Sequence, residues 1–224
     1  MRRIAAEPSF DLPTMAQFFS VHPTHPQPRL IRQAAELLRA GGVIAYPTDS
    51  SYALGCRLGD FVAARRIRTI RGVDDTHHLT LVCRGLSDAG RFTRLSNWQF
   101  RVVRQGIPGA FTFLLPATRE VPRRLLHPRR STIGLRVPDH PVVLALLTEL
   151  GEPIVSSTLI LPGDDVPLND PEAIRSRLEH QIEAVIDAGP CVAAPTTVID
   201  LAVEPAVVIR QGVGDPVRLG LAPE

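Results

Sequence analysis

Gly41-Gly-Val-Ile-Ala-Tyr-Pro-Thr-Asp-Ser-Ser-Tyr-Ala-Leu-Gly55 decides how the rest of the chain is read. The apolar run Val43 to Tyr46 has the length and character of a buried strand, closed by Pro47. Immediately beyond it come Thr48, Asp49, Ser50, Ser51 and Tyr52. In an α/β sheet, ligands sit in loops at strand ends, and five hydrogen-bonding side chains there suit a small polar ligand. A Ser/Asp-rich turn that merely caps a helix would also account for the cluster.

Working outward, Arg29 to Ala40 places Leu30, Ile31, Ala34, Ala35, Leu37 and Leu38 at helical spacing and ends at Gly41-Gly42. Asp60 and Ser96 are caps for helices over 61–71 and through Arg104, and Asp170 for one over 171–178. A further helix is expected over 142–150. Strands are expected over 79–83, 110–115, 132–137, 153–156, 184–187, 197–201 and 206–210. Alternating strands and helices, followed by clustered strands, give an α/β domain with a mixed sheet. Residues 1–14 read as a disordered extension, with Met15 as a candidate start, and 216–224 as a tail.

The 224 residues, 44% of them apolar, suffice for one domain. No apolar run is long enough to span a bilayer, and the first residues lack the apolar middle of a signal peptide, which points to the cytoplasm. Three dispersed cysteines, Cys56, Cys83 and Cys191, suit reduced thiols. No Cys-x-x-Cys or His-x-x-x-His pair supports a structural metal site.

All 25 basic residues are arginine. A Walker A loop, a Schiff-base lysine and a lysine general base are thereby excluded, and phosphate chemistry must use guanidinium forks, backbone amides and metal. The net charge of +2 hides a split, with 15 arginines and 5 acids from Arg57 to Arg130 against 2 arginines and 12 acids from Asp139 to Glu204. A basic half suits phosphate-bearing partners, nucleotide or RNA, although charges that balance across a solvated surface would look the same. Polar residues end several expected strands: Thr48, Thr112, Arg136, Ser156, Ser157, Thr158, Thr196, Thr197 and Arg210. Arg136 and Arg210 lie in apolar surroundings, where a guanidinium needs water, an acid or a bound anion. Internal pairing with Asp49, Asp139 or Asp200 is the alternative for each one. Together with Arg71, at the end of its helix, they suggest an anion site. His77-His78 reads as an exposed loop, and Trp98 as core.

These residues fall into ordered blocks: Gly41 to Gly55, Pro108-Gly-Ala-Phe-Thr-Phe113, Ile133-Gly-Leu-Arg-Val-Pro-Asp-His-Pro141, Pro195-Thr-Thr-Val-Ile-Asp200 and Arg210-Gln-Gly212. In that order the chain resembles the YrdC/YciO family of threonylcarbamoyl-AMP synthases and their relatives, from about Phe18 to Asp215. The resemblance implies a single YrdC-like domain over 15–215, a twisted open mixed sheet with flanking helices and a basic concave cavity. It implies a reaction in which L-threonine and bicarbonate give a carbamate that attacks the α-phosphate of ATP and releases pyrophosphate. The product serves tRNA modification. Thr48 and Ser50 would hold the amino acid, and Arg71 and Arg136 would clamp carboxylate or phosphates. Ser156 and Thr158 would bind phosphate, Thr112, Thr197 and Arg210 would line the nucleotide side, and Mg2+ would bridge phosphate oxygens.

Synthases of the family carry Lys-x-Arg where this chain has Arg71-Gly72-Val73, and Ser-Ala-Asn where it has Thr158-Leu159-Ile160. Each lost charge-assisted bond is worth roughly 1.5–3 kcal/mol. Two such losses slow turnover by about 10² to 10⁴. The pattern therefore resembles the YciO branch, with weak or divergent synthesis. An RNA-binding protein, for double-stranded RNA, tRNA or rRNA, using the same basic cavity is the alternative.

Overall fold

The computed structural model describes residues 15–221; the expectations for residues 1–14 and the last three residues of the tail fall outside them. The first strand, β1 (Gln17–Ser20), leads to helix α1 (Pro28–Arg39), whose Ile31, Ala34, Ala35 and Leu38 are buried. Proline at its start needs no helical partner, and Gly41, at φ 90°, turns the chain out of it. The opening stretch becomes β2 (Ile44–Tyr46), a polar turn, and β3 (Ala53–Arg57). Asp60 accepts hydrogen bonds from the amides of Val62 and Ala63 and starts α2 (Phe61–Arg71), which Gly72 ends at φ 61°. Cap and glycine together fix Arg71 as the last helical residue.

Then follow β4 (Thr80–Val82), α3 (Leu86–Phe92), α4 (Asn97–Gly106), β5 (Phe111–Pro116), a short 3-10 helix over Arg123–Leu125, β6 (Thr132–Arg136), α5 (Pro141–Leu150) and β7 (Ile154–Thr158). The chain continues through α6 (Pro171–Leu178), β8 (Ala184–Asp187), β9 (Thr197–Asp200) and β10 (Val207–Arg210). A second 3-10 helix, Pro216–Leu219, buries Leu219 beside α4. The strands form one open sheet in the order β1-β8-β2-β3-β7-β4-β6-β5-β9-β10. It is mixed: β1/β8, β2/β8, β4/β6 and β5/β9 are parallel, and the remaining neighbours antiparallel.

Strand alternation gives the sheet two unlike faces. On one, Leu54, Leu81, Phe113, Leu115, Ile133, Leu135, Val155 and Ile199 form the larger core with Ala63, Ala64 and Ile67 of α2, Phe92 of α3, Val103 of α4 and Ile174 of α6. On the other, Ile44, Tyr46, Ala53, Ile154, Ala184 and Ile186 pack under α1 and α5 in a smaller cluster. That smaller core stops at β4 and β7. The residues continuing the same face are Thr80, Gly134, Thr112, Leu114, Thr158 and Val198, and there the sheet meets a hollow.

Two strands and one α-helix, besides the two 3-10 helices, were not expected from the sequence. In β3, Ala-Leu-Gly-Cys-Arg has no β-branched residue, and its place between β2 and β7 makes it a strand. Gly55 is required there, since a Cβ would lie 2.7 Å from both the Tyr46 ring and Ile154. The edge strand β1 is short, and α3 starts at Gly85 without a side-chain cap.

Candidate anion-binding site

The hollow has a volume of about 470 Å³, within the range of roughly 300–1,000 Å³ typical of small-molecule sites. Arg71, Arg210, His77, His78, five threonines (Thr76, Thr80, Thr112, Thr158, Thr196) and Ser157 line it, with Leu114, Val198 and Ile209 as the apolar part. Among the described residues no carboxylate belongs to this lining. Arg71 comes from the end of α2, Thr158 from the end of β7, Thr112 from β5, and Arg210 from the end of β10.

The two guanidiniums are held by neutral groups. Arg71 donates through Nε to the Ile160 carbonyl (2.8 Å) and through Nη1 to Ser157 Oγ (2.5 Å). Arg210 donates through Nε (3.2 Å) and Nη2 (3.0 Å) to the Thr196 carbonyl. Burial first, and the Arg210 charge second, push the Arg71 pKa down to about 10. Arg210 is lowered by burial and by Arg136. Both stay cationic at neutral pH, yet each shift records a cost that a bound anion would relieve. The Thr112 and Thr196 hydroxyls of the same lining lie 2.9 Å apart.

His77 makes no side-chain hydrogen bond among the described residues, and its pKa is pushed down to about 4 by burial and then by Arg71. Its neighbour His78 is likewise lowered to about 4, by burial and then by His127, on which it stacks with ring centroids 4.6 Å apart. His78 Nε2 is 2.9 Å from the Thr132 hydroxyl. Both imidazoles are neutral at pH 7.

Four of the expected site residues, Arg71, Thr112, Thr158 and Arg210, thus meet around one space. The other five do not line it. Arg136, 5% exposed, pairs with Asp49 Oδ1 (2.5 Å), and the same Nη2 donates to Thr48 Oγ1 (3.1 Å) and Ser50 Oγ (2.9 Å). The polar turn after β2 is therefore a cradle for this guanidinium: Thr48 Oγ1 donates to the Ser51 carbonyl (2.6 Å) and accepts from the amides of Ser50 and Ser51. Of the two readings the sequence left open for Arg136, the structure shows the internal pair with Asp49.

Ser156 is buried under Tyr46. Burial pushes the Tyr46 pKa up to about 12, so its hydroxyl keeps the proton and donates to Ser156 Oγ (2.7 Å), which in turn donates to the Leu54 carbonyl. The Thr197 hydroxyl donates to the Gly214 carbonyl (2.5 Å) and accepts from the Gly212 amide (2.8 Å), which pins the chain after β10. Thr196, one residue earlier, is the threonine that lines the hollow. The alternation of β9 carried that signal: Thr197 shares its face with the buried Ile199 and Leu201.

The residues present do not fit a protein-held magnesium ion. No acid lines the hollow, and the described residues contain no cluster of three or more His, Cys, Asp or Glu placed to hold a metal. No described helix is long and apolar enough to cross a membrane.

Comparisons with known proteins agree with this geometry. The Sua5/YciO/YrdC family model, described as telomere recombination, matches residues 36–212. The Escherichia coli K12 protein named "Uncharacterized protein YciO" is 51% identical over 201 residues, which is 90% of this chain and 98% of that one. A crystal structure of E. coli YciO, at 50% identity, superposes with a TM-score of 0.89 over 92% of this chain and all of the other. A threonylcarbamoyl-AMP synthase of Alkalilimnicola ehrlichii is 35% identical over 198 residues, 84% of this chain and 99% of its own. The crystal structure of P. abyssi Sua5 complexed with L-threonine, at 25% identity, gives a TM-score of 0.80 over 87% of this chain and 57% of that chain. From the ordered blocks, the half-covered ten-stranded sheet and these likenesses, the chain belongs to the Sua5/YciO/YrdC family.

Proposed function

We propose that the hollow binds ATP and L-threonine and supports slow formation of a threonylcarbamoyl adenylate with bicarbonate. The observation that carries the reading is Arg71 and Arg210, two half-buried cations without a carboxylate partner among the described residues, facing a hydroxyl-lined space. A triphosphate supplies the missing negative charge. Arg71 and Arg210 neutralise it as pyrophosphate leaves, and the hydroxyls of Thr112, Thr158 and Thr196 hold phosphate oxygens without adding charge. Arg136, itself paired with Asp49, adds its positive charge to the surroundings of Arg210. Relatives named threonylcarbamoyl-AMP synthase, and a Sua5 crystallised with L-threonine, support the choice of substrates.

Synthesis is expected to be slow. At the position of the family's second basic residue stands Val73, which does not line the hollow, and the Ile160 side chain offers no amide; its backbone carbonyl accepts from Arg71 and its N–H donates to the Thr158 carbonyl. The test is pyrophosphate release at high protein concentration. Release that requires both L-threonine and bicarbonate, and falls in Arg210→Ala by about tenfold or more, is the expected result. Release independent of L-threonine, or none at all, rejects this reaction.

A further inference from the structure

A second basic recess lies on the other side of the loop that borders the hollow. In the segment 74–78, Asp75 lines this second space, and Thr76, His77 and His78 line the first. The recess, of about 380 Å³, is bounded by Phe61, Arg65 and Arg68 of α2 and by Arg123 and Arg124 of the short 3-10 helix. We propose that it is a separate anion site that takes a compact polyphosphate group.

Arg68 carries the argument. It is 7% exposed, and its Nε is buried with no hydrogen-bond partner among the described residues. The nearest acid, Asp75, is 3.5 Å from that nitrogen, and its side chain is 89% exposed, so the carboxylate sits at the rim and is largely solvated. A buried guanidinium with an idle donor is costly unless an acceptor arrives. Around it, Arg65, Arg123 and Arg124 are exposed and have no acid partner among the described residues. Arg124 stacks on the Phe61 ring, its Cζ 5.3 Å from the centroid, which orients the guanidinium without using its N–H groups. Four guanidiniums against one rim carboxylate give the recess a charge that only a multiply charged anion balances. Because Arg68 lies at the bottom, the ligand must be narrow enough to enter; a duplex backbone would meet only the three outer arginines.

The anion can come as free polyphosphate or as the tail of a nucleotide, and one experiment separates these sources. Backbone amide shifts of the 15N-labelled full chain are followed by NMR during titration with sodium tripolyphosphate and, separately, ATP. The expected result is a saturable shift of residues 61–68 and 123–126 with tripolyphosphate that persists in Arg210→Ala. Arg123→Ala/Arg124→Ala, confined to exposed side chains, weakens it by about tenfold or more, and Asp75→Asn strengthens it. Equal affinity for ATP identifies a site that reads phosphate alone; tighter ATP binding that Phe61→Ala abolishes identifies a nucleotide site. Absence of saturation at those residues in the millimolar range overturns the proposal, as does a shift unchanged in the double variant. A response to an RNA duplex without one to tripolyphosphate also overturns it. Arg68→Gln adds a check of the buried donor, and if it fails to fold the double variant still decides.

Discussion

Arginine is the only strong cation this chain uses, and its guanidiniums do different work according to what answers them. Arg136 is met by Asp49, Thr48 and Ser50, whereas among the described residues Arg71 and Arg210 are met only by neutral oxygens. Arg136→Ala leaves the Asp49 carboxylate half-enclosed and unpaired, a loss of about 3–5 kcal/mol for a buried pair. Denaturant unfolding should show that loss, and Arg136→Ala/Asp49→Ala should recover part of it; a single variant as stable as the parent would contradict the cradle. The histidines give a pH signature. With folded values near 4 and an ordinary value of 6.5, His77 and His78 bind fewer protons folded than unfolded between those limits. Stability therefore rises with pH across that window, is fully present above 6.5 and is lost as pH falls toward 4. His77→Gln and His78→Gln should flatten the slope in thermal melts taken from pH 4 to 7. The sequence already displayed Arg136 and Arg210 as anomalies in apolar surroundings, and Arg71 at the end of its helix. Which of them would be answered by an acid was not legible, because Asp49 lies 87 residues from Arg136 and only the sheet brings them together.

At the scale of elements, the site depends on where helices and strands stop. Asp60 and Gly72 bracket α2 and deliver Arg71; the β9–β10 hairpin delivers Arg210 beside Thr196. Gly212 marks how tightly the second is built. A Cβ there would lie 2.1 Å from the Pro195 carbonyl and 2.6 Å from the Thr196 carbonyl carbon, which are backbone atoms that cannot step aside. Gly212→Ala is expected to displace the Pro195–Thr196 segment, lower the melting temperature and weaken nucleotide binding in calorimetry. Unchanged affinity in a folded variant would show that Arg210 does not need that anchor. Caps and breakers were the most legible features: Asp60, Ser96 and Asp170 each start the helix expected of them. The strand β3 was not legible, since its neighbours rather than its side chains make it extended.

For the molecule as a whole, the hollow exists because, among the described residues, six α-helices cover a ten-stranded sheet unevenly. The larger core lies under α2, α3, α4 and α6, while α1 and α5 shield the opposite face only from β1 as far as Ile154 of β7 and Val82 of β4. Threonines on the remaining half tolerate water when the site is empty and bind anions when it is filled. Strand parity in the sequence shows those hydroxyls, but strand order decides that they adjoin, and order is set by pairings such as β7 with β4 and β5 with β9 across long stretches of chain. Calorimetric titration of ATP into the parent chain and into Arg71→Ala/Arg210→Ala is the most direct test. One saturable site in the parent, absent or at least about a hundredfold weaker in the variant, is predicted. Equal ATP affinity in both proteins, with the variant folded, would contradict a phosphate site between these two guanidiniums.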